Sequence, residues 1–176
     1  MQSLKRIAIA SVAVLLLVLG IGYLLPGAWQ VERTVVIRAP AAAIFPHLNS
    51  LKQWRDWTVW TRQQPELQIE YSGPDAGVGA TSRWRTQDER AVMKIMQSQR
   101  NSLVAYSVLF NAGASRTDGT LTLVSEADGT RVVWRATGDI GRGPVSGYLA
   151  LLEGRRHGNE FDDSLELLKH KIETKS

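Results

Sequence analysis

The stretch Phe161-Asp162-Asp163-Ser164-Leu165-Glu166-Leu167-Leu168-Lys169-His170-Lys171-Ile172 decides the fold. Phe161, Leu165, Leu168 and Ile172 recur at i, i+4, i+7 and i+11, which puts them in one stripe along a helix. Asn159 predicts an N-cap, with Glu160, Asp162 and Asp163 in the first turn and Lys169 to Lys171 in the last. That order of charge complements the helix macrodipole. Val145, Leu149 and Leu152 predict a shorter helix just before it, with a break near Gly154 to Gly158. A stripe of this kind must be covered, and the chain before it reads as strands.

Thr120–Ser125 and Arg131–Ala136 predict a hairpin with Asp128-Gly129 in a type I′ turn. Along its second arm Val132, Trp134 and Ala136 face one way, and Arg131, Val133 and Arg135 the other. Ala91–Gln97 and Leu103–Phe110 predict a second hairpin around Arg100-Asn101. Both faces of Leu103–Phe110 are mostly apolar, which predicts a strand covered on both sides. Leu67–Tyr71 and Gly79–Arg85 add two strands across the turn-rich Ser72 to Gly77. Val31–Arg38 is rich in β-branched residues and ends at Ala39-Pro40. Two short helices follow, Ala41–Leu48 (disturbed by Pro46) and Leu51–Asp56. The order is strand, two short helices, about six strands and a long amphipathic helix. Consecutive hairpins make the sheet antiparallel, so the class is α+β, with the sheet curled around the last helix and a cavity between them.

At the other end, Ile7 to Leu25 carries no charge. As a helix it spans roughly 28 Å, close to the hydrocarbon thickness of a bilayer. It exceeds the roughly 7–15 residues of a signal-peptide core. Its exit, Leu25-Pro26-Gly27-Ala28-Trp29, offers no good small-x-small cleavage site, and Tyr23 and Trp29 are placed as interfacial aromatics. An uncleaved anchor is therefore favoured over a removed signal peptide. Lys5 and Arg6 precede the run, so the positive-inside rule predicts a cytoplasmic N-terminus and a domain on the far side of the inner membrane. Residues 1–28 are then tip and anchor, and 29–176 one domain, too short for two.

Beyond Lys5 and Arg6 the chain has 19 basic and 17 acidic residues, interspersed. Nucleic-acid binding needs a basic stripe, and none is present. The chain has no cysteine, which excludes disulfides, thiolate metal sites and a cysteine nucleophile. Oligomeric state is not legible.

Several stretches together resemble one superfamily. They are Val31-Glu32-Arg33 through Ile37-Arg38-Ala39-Pro40, Ile44-Phe45, Trp54-Arg55-Asp56-Trp57 with Trp60, and Tyr71-Ser72-Gly73-Pro74. Gly77-Val78-Gly79-Ala80, Trp84, Gly129 to Trp134, and Phe161 through Leu165 to Leu168-Lys169 complete the set. In order and spacing the chain is similar to the SRPBCC superfamily (START-like, polyketide cyclase/dehydrase and lipid-transport-like proteins), in particular its small membrane-anchored bacterial members. The resemblance covers nearly the whole soluble part. It implies the helix-grip (START/Bet v 1-like) fold and an apolar-ligand pocket, but no reaction. The chain departs from the pattern at Val59, where such proteins often carry proline in a W-x-P-W stretch, which puts the local turn in doubt.

The histidines His47, His157 and His170 lie in separate segments with no i, i+4 partner, so no zinc motif is present. His170 reads as a surface residue, His157 as a loop residue, and His47 as a structural residue that faces the cavity at most. Gly141 to Gly147 misses the phosphate-cradle spacing, and Pro144 removes an amide donor. No cofactor is indicated. The aromatic residues are the candidates for a cavity lining: Trp57, Trp60, Tyr71, Trp84, Tyr106, Phe110 and Trp134. For Trp134 plain core packing is favoured. Three functions are carried forward, in order of preference. The first is an anchored binding or transfer module for an apolar small molecule or lipid. The second is a cyclase/dehydrase-type enzyme using His47, Tyr106 or an acid as proton shuttle, and the third an envelope accessory protein acting through partners.

Overall fold

A computed structural model describes residues 2–64, 66–86 and 90–174. Seven strands form one antiparallel sheet in the order β1-β7-β6-β5-β4-β3-β2. They are β1 (Ala28–Ile37), β2 (Ile69–Ser72), β3 (Thr81–Arg85), β4 (Arg90–Gln99), β5 (Leu103–Phe110), β6 (Ser115–Glu126) and β7 (Gly129–Asp139). The helices are α1 (Gln2–Leu24), α2 (Ala41–Asn49), α3 (Leu51–Trp54), α4 (Val59–Gln63) and α5 (Ser146–Glu173). This is the α+β helix-grip arrangement, with α5 gripped by the sheet and α2 to α4 carrying the chain from one sheet edge to the other.

Alternation builds the gripping face. Trp29, Val31, Val35 and Ile37 of β1 are buried, as are Val104, Tyr106 and Val108 of β5 and Val132, Trp134 and Ala136 of β7. They meet Phe161, Leu165, Leu168 and Ile172 of α5, so the stripe read from the sequence is the buried face of that helix. β4 carries an extra residue between Ile95 and Gln97, a bulge that bends the strand and helps the sheet to curl.

Four local expectations are corrected. The outer face of β5 is only partly covered: Ser107 is buried, but Leu109 is 42% exposed, and Leu103 and Ala105 are partly exposed. The β6–β7 turn is Ala127-Asp128, since Glu126 pairs with Gly129, and neither turn residue has a positive φ. The type I′ geometry is therefore absent. Gly129 is needed for a different reason: its φ is 147°, and a Cβ there would strike the Ile37 carbonyl. The third correction concerns α5, which runs unbroken through Gly154 to Gly158, so Asn159 to Asp163 lie inside it rather than at its start. Gly158 lies under the Arg33 guanidinium and Gly147 against Leu25, so these glycines mark close approaches rather than breaks. Fourth, Trp29 is 9% exposed and belongs to the sheet, not to an interfacial belt.

α4 was not anticipated, and it occupies the stretch where Val59 replaces the usual proline. Thr58 is its N-cap and Val59 its first residue, a position proline would suit. Here the Val59 N–H donates to the buried Ser164 Oγ at 3.0 Å, a bond proline cannot make. That bond clips α4 to the middle of α5.

Within α1, Lys5–Leu24 has a mean hydropathy of 2.6 and is long and apolar enough to cross a membrane. Only residues 25–27 separate α1 from β1.

Candidate functional site

A cavity of about 700 Å³ opens between the concave face of the sheet, α4 and the stretch of α5 from Leu149 to Ser164. Its size suits a small organic ligand, for which about 300–1,000 Å³ is usual.

Its floor is aromatic. Trp134 stacks on Phe161 with centroids 3.8 Å apart and planes 6° off parallel, which locks β7 to α5. Trp54 meets Tyr106 edge-on at 5.1 Å and Trp134 at 5.8 Å. The Trp134 Nε1–H donates to the Tyr106 hydroxyl at 2.8 Å. Room for that phenol ring comes from Gly119, its cross-strand partner on β6, where a Cβ would overlap the ring. Burial pushes the Tyr106 pKa far above the usual tyrosine value, and the bond from Trp134 only partly opposes this. The floor is therefore apolar and neutral, with the Trp134 indole N–H engaged by the Tyr106 oxygen.

At the mouth Trp60 of α4 and Trp84 of β3 lie 5.1 Å apart, with Phe110, Ile140 and Leu149 also on the lining. The opposite wall is charged. Glu153, Arg156, His157 and Glu160 lie at i, i+3, i+4 and i+7 on α5 and all line the cavity. His157 stacks on Trp29 at 4.5 Å. Its Nε2 is 3.5 Å from Glu153 Oε2 and its Nδ1 is 3.4 Å from Glu160 Oε2. Arg156 approaches the same two carboxylates at 3.2 and 3.8 Å. The cavity thus has an aromatic end and a charged side, the shape and polarity of a site for an amphipathic molecule.

Of the residues named from sequence, Trp60, Trp84, Tyr106, Phe110 and Trp134 line this one cavity. Trp57 and Tyr71 lie outside the lining. Trp57 is fully buried, tilts against Trp54 at 5.1 Å, and donates its Nε1–H to the His47 carbonyl at 3.2 Å. Tyr71 lines a separate cleft of about 180 Å³ with Leu51, Lys52, Gly73 to Asp75 and Thr81. Burial raises its pKa, while Arg55 and Lys52 pull it down. His47 sits near the end of α2 and is not part of the lining either.

Reading Gly154 to Gly158 as a break hid the charged wall, because it turned His157 into a loop residue. The signal was present: Leu149, Glu153, Arg156 and Glu160 keep helical spacing straight through the glycines. Among the described residues no group of three or more histidines and carboxylates is placed to hold a metal ion.

The family model "Polyketide cyclase / dehydrase and lipid transport" matches residues 28–173. Protein MLL2253 from Mesorhizobium loti superposes with a TM-score of 0.59 at 13% identity, covering 84% of this chain and 98% of its own. An uncharacterized protein from Rhizobium leguminosarum gives 0.58 at 15% identity, over 84% of this chain and 95% of its own. The Aha1 dimer from Colwellia psychrerythraea gives 0.55 at 18%, over 81% and 95%. At such identities the likeness shows the fold alone. No curated protein sequence matches the chain.

Proposed function

The chain belongs to the polyketide cyclase / dehydrase and lipid transport family, and from that premise we propose that it is a membrane-anchored module that binds or passes on an apolar small molecule or lipid. The observation that carries this reading is the cavity, about 700 Å³ with an aromatic floor and a charged wall. An apolar body seated against Trp54, Trp134 and Phe161 would gain roughly 25 cal/mol per Å² buried. A polar end would meet Arg156, His157 and the two glutamates. The Trp54 Nε1–H donates to the Leu48 carbonyl at 2.8 Å, and the Trp134 indole is likewise engaged, so neither indole N–H is free for a ligand. In this reading Lys5–Leu24 spans the inner membrane with its N-terminus cytoplasmic, and the domain stands on the far side. Trp60, Trp84, Tyr106, Phe110 and Trp134 are the ligand contacts.

The full-length protein in a non-ionic detergent should melt several degrees higher with a bound lipid class than without it, by mass action. A panel of lipids extracted from membranes that shifts the melt in no case removes the reading.

One observation favours a second reading, a cyclase/dehydrase-type enzyme. His157 is flanked by a carboxylate at each ring nitrogen and faces the cavity, which suits a group that takes up and returns a proton. In this reading His157 takes the role that the sequence offered to His47, Tyr106 or an acid. A ligand recovered one water lighter from the wild type, but intact from His157→Gln, favours the enzyme. Recovery of the same intact molecule from both favours the binding module.

A further inference from the structure

We propose that the first two turns of α5 lie in the bilayer interface at the exit of α1, so that the cavity opens toward lipid. This rests on the reading that α1 spans the membrane. The Tyr148 hydroxyl donates to the Val18 carbonyl at 2.9 Å. Gly22 faces the Pro144 carbonyl so closely that a Cβ would collide with it, and Gly147 is in the same relation to Leu25. These contacts fix depth. Val18 lies six residues before Leu24, which is about 9 Å along the helix axis. If α1 leaves the hydrocarbon near Leu24, the Tyr148 hydroxyl reaches about 9 Å below that level, while the α5 backbone at Gly147 stands beside Leu25, at the boundary where interfacial helices rest.

The composition of this segment agrees with that depth. Ser146 to Leu152 (SGYLALL) carries no charge, and the first charge on α5 is Glu153. Val145, Leu149 and Leu152 follow helical spacing on the side away from the buried Gly147 and Ala150, and they are 53%, 45% and 60% exposed. Leu151 is 60% exposed and Ile140 36%. A helix start apolar on every side fits lipid, not water. Arg142 before it and Arg155 and Arg156 after it stand where headgroup phosphates would lie. A second protein could cover such a patch, but its continuity with α1 assigns it to the bilayer. Ile140 and Leu149 belong both to this patch and to the cavity mouth, so an apolar ligand could enter from the lipid without crossing water.

The chain has no cysteine, so single sites can be spin-labelled in the full-length protein. Leu152→Cys, Leu15→Cys in α1 and Val124→Cys on the outer sheet face are all exposed positions, and labelling them leaves the core intact. In phosphatidylcholine/phosphatidylglycerol vesicles, the Leu152→Cys label should lie nearer the Leu15→Cys label than the Val124→Cys label. Both should be several-fold more accessible to oxygen, and several-fold less to an aqueous nickel chelate, than the Val124→Cys label. A Leu152→Cys label as aqueous as that at Val124→Cys, with the Leu15→Cys label in lipid, overturns the docking and leaves the span standing. Labels at Leu152→Cys and Leu15→Cys that are both aqueous overturn the span and the docking together.

Discussion

At the cavity floor one hydrogen bond joins two aromatic residues from neighbouring regions of the sheet, and its chemistry can be tested by a single atom. Tyr106→Phe keeps the ring and its packing but leaves the Trp134 Nε1–H buried with no acceptor. An orphaned buried donor costs about 1–3 kcal/mol, which denaturant unfolding would read as a lower midpoint at unchanged slope. The same hydroxyl sets an alkaline limit. Its folded pKa lies above the unfolded value of about 10, so the folded state holds its proton more tightly. Stability from this residue is complete below about pH 10 and declines as pH rises toward the folded value. Tyr106→Phe should remove that part of the alkaline slope. At the α4–α5 clip, Ser164→Ala should cost about 1 kcal/mol by losing the bond from Val59 N–H. Val59→Pro removes the same bond, so the double variant should lose less than the sum of the singles. Sequence patterning put Trp134 on one face with Val132 and Ala136 and named Tyr106 a candidate for the cavity lining. It could not supply their mutual bond, because the partners are 28 positions apart and meet only through strand register.

α5 is the element on which the candidate site depends, and half of it was legible. Phe161, Leu165, Leu168 and Ile172 announce its second half because large apolar residues repeat there. The first half buries small residues, Gly147, Ala150 and Gly158, which carry no hydrophobic signal and read as breakers instead. Helix propensity lost the contest to packing against β1 and α1. Gly154 separates the two accounts. It is helical, and a Cβ there would meet only Trp29 Cβ at 3.8 Å, an ordinary contact. Gly154→Ala should therefore stabilise the protein by about 0.4–1 kcal/mol, by lowering the entropy of the unfolded chain. A helix broken at this glycine would lose stability instead, and a thermal melt shows the sign. The strands were more legible, because alternation and turn residues act locally. The β6–β7 turn was misplaced by one residue for the same reason, since Gly129 answers to Ile37 across the sheet and not to the turn.

The whole molecule combines an apolar N-terminal helix, a gripped helix and the space left between sheet and grip. The α+β helix-grip architecture follows from the order of strands and the terminal stripe. The cavity was expected from that architecture, but its charged wall and its contact with α1 arise from tertiary placement. Only residues 25–27 separate α1 from β1, and Tyr148 reaches back to Val18, so the start of α5 packs against the end of α1. The central claim is that the cavity of about 700 Å³ holds an apolar ligand taken from the membrane. Met93, buried in its lining, offers a place to fill it: Met93→Trp adds bulk at an overpacking cost of about 1–3 kcal/mol. Native mass spectrometry of the full-length protein released from membranes tests the claim directly. The account predicts a bound apolar species on the wild type that is lost from folded Met93→Trp. A wild type that flies without a ligand, or a ligand retained equally by both, would contradict it.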